Sequence, residues 1–100
     1  MPGFILFRKG RTWLRKDGRD KYLAGQQSMV LLALMGRHIS TMAFLSECLW
    51  PHPDYMPDYW CGHVRVVVHK LRDRLRGTGW IIKRRYTFGY SLERERTPDI

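Results

Sequence analysis

The sequence is poor in acid, in cysteine and in long apolar runs, and each shortage removes a class of protein. Only 9 of the 100 residues are Asp or Glu, against 18 Lys and Arg, and no paired-carboxylate motif for acid–base work is present. Two cysteines, Cys48 and Cys61, cannot build a disulfide scaffold, so a reducing cytoplasm is the expected setting. The longest near-continuous apolar run, Met29–Met35, falls far short of the roughly 20 residues that a membrane span needs. Phe4–Phe7 is too short for a signal-peptide core, and basic residues follow it rather than precede it. There is no low-complexity stretch, no internal repeat, no Gly-rich phosphate loop, and no Ser or Cys nucleophile with an evident base. The expectation is a single intracellular domain that is not an enzyme and needs no cofactor.

What is present in excess is positive charge. The formal net charge is +9 and the isoelectric point is near 10.2. Such a surplus on a short chain favours a polyanionic partner. It is unevenly spread. Residues 8–21 carry seven cations against two acids, and residues 62–86 carry eight against one. Residues 22–61 have only Arg37 against Glu47, Asp54 and Asp58, and residues 87–100 are slightly acidic. The basic residues sit on expected folded elements rather than beside an exposed apolar face, which favours nucleic acid over a membrane surface.

Phe4–Phe7 and Arg11–Arg15 read as short strands, and Asp17-Gly18 signals a two-residue hairpin turn into a third strand near Lys21–Leu23. Met29, Leu32 and Met35, with Leu31 and Leu34, recur at helical spacing over about 25–36, and Gly36 supplies a stop. Ser40-Thr41 is an N-cap pair for a second helix over about 41–50, on which Phe44, Leu45, Cys48 and Leu49 share a face. Pro51, Pro53 and Pro57 make 51–59 a loop. A third helix spans about 60–76, Gly77-Thr78-Gly79 breaks it, and a hairpin follows over 80–93, leaving a tail at 94–100.

On the third helix Val64, Val67, Val68, Leu71 and Leu75 form a core side, while Gly62, Arg65, Val66, His69, Asp73 and Arg76 lie opposite and Lys70 and Arg72 flank them. A basic amphipathic helix fits the major groove of B-DNA, with Arg65 and His69 at base edges and Lys70 and Arg72 at phosphates. Lys83-Arg84-Arg85 runs into Tyr86-Thr87-Phe88-Gly89, putting charge near a hairpin tip that suits a minor groove. A solubilising helix face and a charge-protected edge strand are the plainer readings of the same residues.

Cys48, His52, Cys61 and His63 are all zinc-ligand types, but their spacing matches no common finger and no metal is expected. Phe4, Trp13, Trp50, Trp60, Trp80 and Phe88 suit packing better than a stacking platform for single strands.

Val64–Leu75, with Leu71-Arg72-Asp73-Arg74-Leu75 at its end, then Ile82 and Gly89-Tyr90-Ser91-Leu92, resemble the winged-helix effector domain of OmpR/PhoB-type response regulators. Members carry Leu-Arg-x-basic-Leu at the end of the recognition helix and Gly-Tyr-Arg-Leu in the closing wing strand. Thr41–Trp50 is similar to the family's second helix, Leu23–Gly36 to its first, and 51–59 stands at its transactivation loop. The likeness covers nearly the whole chain. It departs from the family at Ala24-x-x-Gln27, where members have Thr-x-x-Glu, at Gly62, and at the wing tip, where Tyr86-Thr87-Phe88-Gly89-Tyr90 lacks the usual arginine. The tip cation would then come from Arg84 or Arg85. With 100 residues there is no room for a receiver domain, so a free-standing module is expected.

The resemblance implies an α+β winged helix-turn-helix: a three-helix core, a small N-terminal antiparallel sheet and a C-terminal β-hairpin wing. It implies sequence-preferring binding of double-stranded DNA, often as tandem copies on direct repeats, and a role in transcription regulation; the expected location is cytoplasmic, nucleoid-associated when bound to DNA. The expected DNA-binding residues are Arg65, His69, Lys70, Arg72, Arg76, Lys83, Arg84, Arg85, Tyr86 and Thr87. The competing reading is a protein-interaction module, with weak or non-specific DNA binding, that engages a partner such as RNA polymerase through exposed Tyr55, Met56, Tyr59 and Trp60. Aromatic, proline-rich loops lose little entropy on ordering, which suits them to such contacts.

Overall fold

The computed structural model describes residues 4–8, 11–16, 18–23, 25–37, 39–85 and 89–95. Strands β1 (Phe4–Arg8), β2 (Arg11–Lys16) and β3 (Arg19–Leu23) form an antiparallel sheet in the order β1-β2-β3. Lys16 pairs with Arg19, which leaves a two-residue turn, and Gly18 takes it at φ 76°, a conformation costly for any residue with a Cβ. Across β2 and β3 the facing pairs are Trp13 with Tyr22, whose rings stand 5.3 Å apart, and Arg15 with Asp20, joined at 2.7 Å. The Asp20 hydrogen bond raises the pKa of the Arg15 guanidinium and so holds its proton more firmly. Thr12 and Leu14 alternate with these and are buried.

Helix α1 (Gly25–Gly36) begins and ends where the spacing puts it, but its outward side is a surprise. Val30, Leu31, Ala33 and Leu34 are buried, whereas Met29, Leu32 and Met35 are 46%, 42% and 49% exposed. The periodicity that reveals the helix cannot choose its inner face, because apolar residues surround it on every side. Strand β4 (Ser40–Thr41), which the sequence pattern does not announce, pairs antiparallel with the last strand. Ser40 is buried and its hydroxyl donates to the Ala33 carbonyl at 3.2 Å. Thr41 caps helix α2 (Met42–Leu49), its Oγ1 accepting from the Phe44 N–H at 3.1 Å.

After Trp50 the prolines take over. His52 starts a single 3-10 turn at Pro53–Tyr55, its Nδ1 accepting from the Asp54 N–H. Helix α3 (Trp60–Leu75) then buries Val64, Val67, Val68, Leu71 and Leu75, the set its apolar spacing selects. Each fully buried aliphatic side chain stabilises the fold by about 1.5–3 kcal/mol. The Thr78 hydroxyl donates to the Leu75 carbonyl at 2.6 Å and accepts from the Trp80 N–H, which turns the chain directly into the hairpin. Strands β5 (Trp80–Arg85) and β6 (Gly89–Arg94) complete a second sheet in the order β4-β6-β5.

Gly89 makes that sheet possible. A Cβ there would collide with the Ser40 carbonyl, so only glycine lets β6 come this close to β4. The result is an α+β fold of three helices and two small antiparallel sheets around one core. No helix among the described residues is long and apolar enough to cross a membrane.

Candidate nucleic-acid interface

Residues 65, 69 and 72 recur every three to four positions on α3, so they share one side of the helix, and Arg76 follows as its C-cap. Arg65, His69, Arg72 and Arg76 are all exposed there, and Val66 is 50% exposed beside Arg65. Arg76 is partly neutralised by Asp73 at 3.3 Å. Among the described residues, Arg65, His69, Lys70, Arg74 and Arg84 make no ion pair.

Arg72 does not stand free at the flank. Its Nε donates to the Ile82 carbonyl at 3.2 Å, and its guanidinium lies 5.6 Å from the centroid of the Tyr90 ring. The expected phosphate contact is therefore, first of all, a tie between α3 and the hairpin. Tyr90 is the cross-strand partner of Arg84, and facing residues of an antiparallel pair project to the same side. Arg65, His69 and Arg72 share a side of α3 by their spacing, Arg72 reaches Tyr90, and Tyr90 faces Arg84 across the strands. Through Arg72 and Tyr90, the basic side of α3 meets the hairpin face that carries Arg84.

Lys83 and Arg85 belong elsewhere. Strand alternation sends them to the other face of the hairpin, where both meet Glu93: Lys83 Nζ lies 3.2 Å from one carboxylate oxygen and Arg85 Nη2 pairs with the other. Arg85 Nε also donates to the buried Ser91 hydroxyl at 2.8 Å. The hydrogen bond from Lys83, with the nearby charge of Arg85, holds the Glu93 carboxyl below its ordinary range. Among the described residues, the sequence run Lys83-Arg84-Arg85 is thus one free cation between two that an acid already engages. Tyr86, Thr87 and Phe88 lie outside the described residues.

Lys70 faces the opposite flank of α3. It lines a cleft of about 220 Å³ with Gln26, Gln27, His63, Val66 and Val67. There His63 Nε2 and Gln26 Oε1 are 2.7 Å apart, and the Trp50 ring packs edge-on to the imidazole at 5.1 Å. His63 and Gln26 belong to this surface although no motif marks them, because the pairing spans 37 residues. Gly62 leaves room for Tyr59, whose ring carbon would lie 3.2 Å from a Cβ at that position.

In the 51–59 loop, Tyr55 and Tyr59 are 78% and 86% exposed, as expected. Met56 is only half-exposed, and Trp60 packs against the core as the first residue of α3, which corrects its placement as a loop contact. Three of the four zinc-type residues, Cys48, His52 and His63, are engaged separately. Cys48 packs on the core, and burial pushes its thiol pKa up, away from the thiolate that a metal requires. His52 is at the 3-10 turn and His63 on Gln26. No group of three or more His, Cys, Asp or Glu converges among the described residues.

No known family model matches the chain, and no curated protein matches it significantly in sequence.

Proposed function

We propose that this chain is a winged-helix domain of the OmpR/PhoB type that binds double-stranded DNA with sequence preference and serves transcription regulation. The single observation that carries the reading is that the basic side of α3, with Arg65 and His69, meets the hairpin face of Arg84 through Arg72 and Tyr90. It provides a helix for the major groove and a basic hairpin for the adjoining minor groove. In this reading α3 is the recognition helix and β5–β6 the wing. Arg65 and His69 address base edges, and the exposed methyls of Val66 suit the methyl group of thymine. Arg84 takes the place of the absent tip arginine. Lys70, on the far flank of α3, meets the phosphate backbone of the opposite strand. Copies arranged in tandem on direct repeats follow from the same family likeness.

The test is selection of bound fragments from a random duplex pool at a stated salt concentration. Enrichment of a common site, lost on Arg65→Ala, supports the reading; recovery of random sequence rejects it.

The exposure of Tyr55 and Tyr59 favours a second role for the loop, as a contact for a protein such as RNA polymerase. Replacing both with serine should leave DNA affinity unchanged and abolish regulation in a transcription assay.

A further inference from the structure

At the base of the hairpin, the end of β5 remote from Arg84, a cleft of about 640 Å³ opens between the C-terminal end of α1, strand β1 and the start and end of the hairpin. That volume is within the range of sites that hold small organic ligands, about 300–1,000 Å³. Ile5, Met35, Trp80 and Leu92 give it an apolar lining, and Arg37 and Arg94 bring the charge. Each guanidinium is positioned by an aromatic ring: Arg37 lies 3.6 Å from the centroid of Phe44, and Arg94 lies 5.1 Å from that of Trp80. Neither makes an ion pair among the described residues. Here two stacked guanidiniums line one cleft of mixed polarity, with no carboxylate partner among the described residues.

From this arrangement we infer a binding site for a small amphiphilic carboxylate, with an apolar or aromatic body against Met35, Ile5 and Leu92 and its carboxylate on Arg37 and Arg94. A guanidinium held by stacking keeps its N–H edge free and pre-oriented, which suits it to a planar carboxylate. The last carbonyls of α1 contribute about half a negative charge at the same end of the cleft, which the two full positive charges outweigh. The ligand would touch β1, α1 and both hairpin strands, and so join the two sheets. The inference does not depend on the nucleic-acid reading, since it uses none of the same side chains.

The test titrates isotope-labelled protein with naphthoate and octanoate, and in parallel with naphthamide and octylamine, following backbone amide shifts. The expected result is saturable movement confined to Met35–Arg37, Trp80, Leu92 and Arg94 with the two carboxylates. The uncharged amide should bind on the order of tenfold more weakly. Arg37→Gln and Arg94→Gln, exposed changes that leave the core intact, should each weaken the carboxylates by about three- to tenfold without altering the amide. Met35→Lys should also weaken them despite its added positive charge, which separates a built site from charge attraction alone. Equal affinity for naphthoate and naphthamide, shifts spread over Arg65 and Arg84 as well, tighter binding to Met35→Lys, or no saturation at millimolar concentration would each overturn the proposal.

Discussion

The two faces of the β5–β6 hairpin carry the same kind of side chain in opposite states. On the face where Tyr90 meets Arg72 of α3, Arg84 is the cross-strand partner of Tyr90, exposed and without an acid among the described residues. On the other face, Lys83 and Arg85 flank Glu93 and spend their charge on it. Three consecutive basic residues thus give one cation available to an outside phosphate and two that help hold the strands together. Net charge tells how many cations a chain has; strand parity and the placement of a single glutamate decide which of them a partner can reach.

The comparison can be broken most severely at Gly89. Gly89→Ala drives a Cβ into the Ser40 carbonyl and should separate β4 from β6, costing about 2–4 kcal/mol of stability. Chemical denaturation would measure it, and a variant as stable as the parent would mean that the β4–β6 approach does not constrain the hairpin.

Next in size are the base contacts. Arg65→Ala and His69→Ala should each lose about 1–3 kcal/mol against the preferred site and little against random duplex. Competition binding with the two DNAs separates these effects.

The hairpin faces themselves are contrasted by a smaller effect. Arg84→Ala should weaken binding to every sequence and lower the slope of log affinity against log salt by about one. Arg85→Ala should change that slope less, because Glu93 already holds its charge. Glu93→Gln should release both partners and steepen the slope. Equal slopes for the Arg84 and Arg85 variants would erase the distinction between the faces.

The smallest effect concerns pH. Glu93 titrates below its ordinary range in the folded protein, chiefly through the Lys83 hydrogen bond, so its contribution to stability is complete above the unfolded value of about 4.3. It is lost as pH falls through the lower folded value. Thermal melts between about pH 6 and about pH 3 should therefore show the parent losing more stability than Glu93→Gln, with the two converging at the acid end.

Much of the fold is legible in the sequence because single residues mark its boundaries. Asp17-Gly18 marks a hairpin, Thr41 a cap, and the prolines after Trp50 the end of α2. The valines and leucines of α3 name their own buried face. Three things are not legible, each for a physical reason. β4 is two residues long and has no pattern; it exists because Gly89 permits a close approach 48 residues later. The exposed side of α1 cannot be chosen when Met29, Leu32 and Met35 are as apolar as the residues they alternate with. Of the candidate site, Arg65, His69 and Arg84 stand exposed where the sequence reading puts them. Arg72 and Arg85 are redirected by partners, the Ile82 carbonyl and Glu93, that local spacing does not reveal.

Thr41 serves two elements at once. Its backbone pairs with Gly89 in β6, and its hydroxyl oxygen receives the N–H of Phe44 at the start of α2. The closing hairpin and the second helix thus meet at one residue. A change in the hairpin at Gly89 should therefore be felt in the first turn of α2. Amide exchange at Phe44 should slow whenever the hairpin is clamped.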